Sequence, residues 1–98
     1  MNIFQIHEII NIAMAVNGFS QRQAPPDLPT VFVKMSGHIA LLMIRVYEHG
    51  WRKGTDEDRY FEFFTDAPLN EDDMNEYKTY MLSVLPFDNL GEEVIQRV

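Results

Sequence analysis

The sequence predicts an α+β fold: an N-terminal helix, a three-stranded antiparallel meander, then two C-terminal helices. Three observations lead there. Apolar residues recur at helical spacing over residues 2–17 and again after Asn70. Between them lie three short runs rich in β-branched and aromatic residues. Short connections join these runs, which favours antiparallel neighbours with the second run in the centre.

Each element carries its own signals. In residues 2–17, Ile3, Ile6, Ile10, Ala13 and Val16 form a stripe that Ile9, Ile12 and Met14 widen. Asn17 and Gly18 end it, because both tolerate left-handed backbone. Pro25, Pro26 and Pro29 make residues 18–29 a loop. Residues 30–36 are the first strand, Ser36-Gly37-His38 the turn, and residues 39–48 the second strand. A polar loop over 52–58 leads to the third strand, residues 59–65. Asn70 is a helix N-cap, with Leu69 and Met74 at staple positions, although Asp73 stands where a capping box wants Glu or Gln. Met74, Tyr77, Met81, Val84 and Leu85 make the apolar stripe, and Pro86 stops it. A last helix is expected over about 89–97, with Leu90, Val94, Ile95 and Val98 on one side.

The second strand does not fit a sheet with one wet face. Leu42, Ile44 and Val46 point one way, and Ile39, Leu41 and Met43 the other. The third strand repeats this, with Phe61 and Phe63 opposite Tyr60 and Phe64. Strands buried on both sides read this way. Either helices cover both faces, or one face meets a partner or a second copy.

Ninety-eight residues suggest one domain with a single core. Seven Phe, four Tyr and one Trp argue for folding over most of the length. With no cysteine, disulfides, thiolate nucleophiles and cysteine-based zinc sites are excluded. Their absence favours the cytoplasm. The apolar N-terminus lacks the basic start of a signal peptide, and the longest apolar run, residues 39–44, is far too short to span a membrane.

Net charge is −7, unevenly placed. Residues 1–55 carry five basic and three acidic groups, a net of +2; residues 56–98 carry three and twelve, a net of −9. This opposes direct binding to nucleic acid, which needs clustered Lys and Arg. It suits a basic partner.

No reactive constellation is complete. His7-Glu8 begins like a zincin helix, but Asn11 stands where the second histidine belongs. His38 and His49 sit at opposite ends of the second strand. Ser36 lacks a nucleophile-elbow frame, Gly50 and Gly54 lack P-loop spacing, and Asp56-Glu57-Asp58 lacks the alternation of a calcium loop. No enzyme activity, metal or cofactor is expected. Trp51, with Arg45, Arg52 and Lys53, makes a small basic-aromatic spot in which Trp51 is read as a core anchor.

The acidic clusters are the candidate partner-binding residues: Asp56, Glu57 and Asp58 in the loop, and Glu71, Asp72, Asp73 and Glu76 in the first turns of the helix. Carboxylates there also suit the helix dipole and a solvated surface. The sharper reading is that they imitate a phosphate backbone, which carries about one charge per 1.7 Å, and so attract a basic groove.

Residues 29–51, from Pro29 through Val31-Phe32-Val33-Lys34 and Leu41-Leu42-Met43-Ile44 to Trp51, resemble a segment of small proteins from phages and prophages of Gram-positive bacteria. The order of elements, with strong acidity, is similar to one anti-CRISPR class. That resemblance implies an inhibitor of the type II RNA-guided nuclease, which reads a short duplex motif with arginines. The expected function is therefore an acidic phage-encoded inhibitor acting as a DNA mimic in the host cytoplasm, on a host protein with a basic nucleic-acid-binding groove. The alternative is a non-enzymatic interaction or assembly module, a homodimer through the apolar sheet face.

Overall fold

The computed structural model describes residues 1–18 and 28–86. Its elements run α1 (Ile3–Asn17), β1 (Thr30–Ser36), a short 3-10 turn (Gly37–Ile39), β2 (Leu41–Tyr47), β3 (Arg59–Phe64) and α2 (Glu71–Val84). The expected helix over 89–97 lies outside the described residues.

Local chemistry sets the boundaries. Asn2 caps α1: its side chain accepts from the Gln5 amide at 2.9 Å, while Gln5 accepts from the Asn2 amide at 3.0 Å. Gly18 closes the helix at φ 87°, and its amide bonds back to the Met14 carbonyl at 2.8 Å. Asn17 then ties the helix end to the sheet, its Oδ1 accepting from the Val31 amide. Asn70 caps α2 through the amides of Asp72 and Asp73. Leu69 and Met74 both reach the core, as staple residues should.

The sheet has order β1-β2-β3, antiparallel throughout, with β2 in the centre. The second strand begins later than the sequence suggests. Ile39 ends the 3-10 turn, and Ala40 takes left-handed backbone at φ 52° before pairing starts. Alanine has no preference for that conformation, so the connection is set by closure of the hairpin.

Both helices pack on one side of the sheet. Ile9, Ala13 and Val16 from α1 meet Leu42, Ile44, Val46, Phe61 and Phe63, and α2 adds Met74, Tyr77 and Met81. Tyr77 is the keystone. It is fully buried, its ring stands edge-on to Phe61 and Phe63, and its hydroxyl donates to the Ile9 carbonyl at 2.7 Å. Burial pushes that hydroxyl above the ordinary tyrosine range.

Candidate interaction surface

Strand register sorts the remaining residues. Facing rows across the three strands are Phe32–Arg45–Tyr60, Lys34–Met43–Glu62 and Ser36–Leu41–Phe64. All of these share the side of the sheet opposite the helices, because side chains alternate along each strand. Neither helix covers that side. Phe32 is 45% exposed, Trp51 50% and Phe64 52%. Leu41 and Tyr47, at the two ends of the central strand, are the buried exceptions.

The face is organised. Phe32 stands edge-on to Tyr47 at 5.6 Å between centroids and to Trp51 at 6.1 Å. The Trp51 amide donates to Thr30 Oγ1, holding the loop against β1. The Arg45 guanidinium lies over the Tyr60 ring, 5.6 Å from its centroid, a contact worth about 0.5–1 kcal/mol at an exposed site. The Tyr60 hydroxyl donates to Glu62 at 2.6 Å. That bond, more than burial, raises the Tyr60 hydroxyl above its ordinary range. Phe32, Lys34, Met43, Arg45, Tyr47 and Trp51 line an open depression of about 310 Å³.

Trp51 is therefore not the core anchor that the sequence suggests. The loop after β2 carries it onto the open face, where Phe32 is its ring neighbour. Sequence reasoning also passed over Phe32, Lys34 and Tyr47. A signal was present, since Thr30, Phe32, Lys34 and Ser36 alternate with Val31, Val33 and Met35, and three of the first four are polar.

The acidic candidates flank β3, and Glu57 stands near enough to Tyr60 for its charge to help raise that hydroxyl. Asp56, Glu57 and Asp58 precede β3, while Glu71, Asp72 and Asp73 follow it. A six-residue strand therefore separates the two groups by roughly 20 Å. Asp58 supports the local fold, because its Oδ2 accepts from the Glu48 amide at 2.7 Å. Glu76 pairs with Arg59 at 2.8 Å. Arg59 also lies over the rings of Phe61 and Tyr80, at 4.7 and 4.9 Å. Glu71, Asp72 and Asp73 sit exposed in the first turn of α2, where the helix dipole favours them. The structure thus joins Asp58 and Glu76 to the β3 surroundings, and leaves Asp56, Glu57, Glu71, Asp72 and Asp73 as two exposed, separated groups.

His7, His38 and His49 are each exposed. Among the described residues no group of His, Asp and Glu is placed to hold a metal ion, and no helix is long and apolar enough to cross a membrane. The chain matches no protein-family model, no curated protein and no solved structure.

Proposed function

We propose that the chain is a non-enzymatic interaction module that binds another protein through the open face of its sheet. The observation that carries this reading is the exposure of Phe32, Trp51 and Phe64 on one side, interleaved with Lys34 and Arg45. Contiguous exposed apolar surface with a polar rim marks binding sites. Aromatic and arginine side chains are also those that carry most binding energy.

Site-specific photo-cross-linking tests it. A photoreactive phenylalanine analogue replaces Phe32 in one sample and Asp72 in another, in cells that express the protein. Adducts from position 32 and none from position 72 are expected. The reverse pattern overturns the open face as the binding site.

A second reading keeps the acidic inhibitor: a phage-type, anti-CRISPR-like DNA mimic for a basic groove. It rests on the net −9 of residues 56–98 and on the exposure of Asp56, Glu57, Glu71, Asp72 and Asp73. Joint replacement of Asp56 and Glu57 by lysine spares the Asp58 bond to Glu48. Under this reading the replacement abolishes salt-sensitive binding to a basic partner, and unchanged binding removes the loop from the mechanism.

A further inference from the structure

The open face has a symmetry that its composition alone does not reveal. Lys34, Met43 and Glu62 lie in one row across β1, β2 and β3. A cation stands at one edge, an anion at the other, and an apolar side chain between them. Neighbouring strands are about 4.8 Å apart. The two charges are therefore equidistant from the line of β2 and opposite in sign. Such a row is complementary to itself when turned over about that line.

From this we infer that the occupant of the open face is a second copy of the chain, packed face to face about a two-fold axis close to the direction of β2. The inference rests on the open face being the binding surface. The rotation lays β1 of one copy over β3 of the other. Lys34 then meets Glu62 of the second copy, Glu62 meets its Lys34, and the two Met43 side chains meet on the axis. The contact is isologous, as closed dimers require. In the next row Phe32 lies over Tyr60 of the second copy. Packed sheets stand about 10 Å apart, a gap that a lysine and a glutamate side chain bridge together. Aligned sheets cross at about 30°, which tilts the axis by about half that angle from β2, so the rows near the centre of the face stay in register.

The charges already in place fit this arrangement. Glu62 accepts from the Tyr60 hydroxyl through Oε1, which leaves Oε2 for a cation. The ion pairs among the described residues are Arg59–Glu76 and Lys78–Glu8, and Lys34 belongs to neither. Arg45 is the charged side chain of β2 itself. Its guanidinium leans onto Tyr60 in β3, away from the axis. In the second copy it leans to the opposite edge, so the two guanidiniums diverge. A three-stranded face is small, and interfaces below about 1,200 Å² belong to the weak class.

The test is sedimentation equilibrium of the whole chain up to about 1 mM, where weak association becomes visible. The wild type should dimerise. Lys34→Glu alone and Glu62→Lys alone each set like charges against each other at both edges. Each should weaken dimerisation about tenfold or more. An equimolar mixture of the two variants should dimerise again, because the glutamate that Lys34→Glu introduces then faces the lysine that Glu62→Lys introduces, and the remaining Glu62 faces the remaining Lys34. Both side chains are exposed, and recovery in the mixture shows that each variant is folded. A wild type that stays monomeric overturns the inference. So do single variants that dimerise as well as the wild type, or a mixture that stays monomeric. Cross-linking from position 32 separates this from the underlying reading. A monomer that still gives foreign adducts there overturns only the second copy, whereas no adduct at all from position 32 overturns the open face itself.

Discussion

The two faces of the sheet both carry large apolar side chains and differ in fate. Leu42, Ile44 and Val46 on one face are fully buried beneath α1 and α2. On the other, Phe32, Tyr60 and Phe64 are exposed and Met43 is half-buried. Alternation alone does not separate these sets. What separates them is that the helical stripes of Ile9, Ala13 and Val16 and of Met74, Tyr77 and Met81 close on the same side. One face is a core, held by burial, and the other leaves Phe32, Tyr60 and Phe64 exposed.

The sharpest way to break this comparison is to truncate one residue on each face. Ile44→Ala should cost about 2–5 kcal/mol, since it opens a cavity under both helices. Phe64→Ser on the open face should cost no more than about 1 kcal/mol. Denaturant titration of the two variants measures the contrast, and equal losses would mean that the open face is buried in solution.

Two tyrosines sharpen the inner side. Tyr77→Phe removes the bond to Ile9 and should cost about 1–2 kcal/mol. Tyr80 differs, because its buried hydroxyl stands near the Glu48 carboxylate without a well-formed hydrogen bond, and Tyr80→Phe should be close to neutral. Burial raises both hydroxyls above the ordinary value of 10.0, and the carboxylates of Glu48 and Asp58 add to the effect at Tyr80. A group whose folded value is raised contributes stability that is fully present below its unfolded value. That contribution falls away as pH rises past 10. Unfolding free energy should therefore decline above pH 10, and Tyr77→Phe should flatten the decline.

Smaller effects follow at the helix that covers the core. Asn70→Ala removes the acceptor for two amides of α2 and should cost about 1 kcal/mol. Joint replacement of Asp56 and Glu57 by lysine, in the exposed loop before β3, should shift stability by less than about 0.5 kcal/mol. A larger loss in thermal unfolding would give the loop a structural role like that of Asp58.

Much of the fold was legible because its signals are local. Asn70, Gly18 and Pro86 punctuate the helices by their own backbone chemistry, and β1 matches its expected range of 30–36. The hairpin between β1 and β2 was legible as a turn after Ser36, but not in its length, since Ala40 carries no turn preference and adopts left-handed backbone to close the connection. The candidate surface was half legible. Met43, Tyr60 and Phe64 follow from alternation. Phe32 and Trp51 meet only through register and a loop, over nineteen positions of chain. The acidic clusters show the limit from the other side: charge is read directly from residues, but the roughly 20 Å between the clusters is set by the strand that separates them.

The sequence by itself determined the α+β class, the order of α1, β1, β2, β3 and α2, and the fact that β2 carries two apolar faces. Only the tertiary structure decided which of those faces became the core and which residues share the open one. Alternation is a property of one strand and treats its two sides alike. Covering one side depends on helices distant in sequence choosing the same surface, and that choice exists only once the chain has packed.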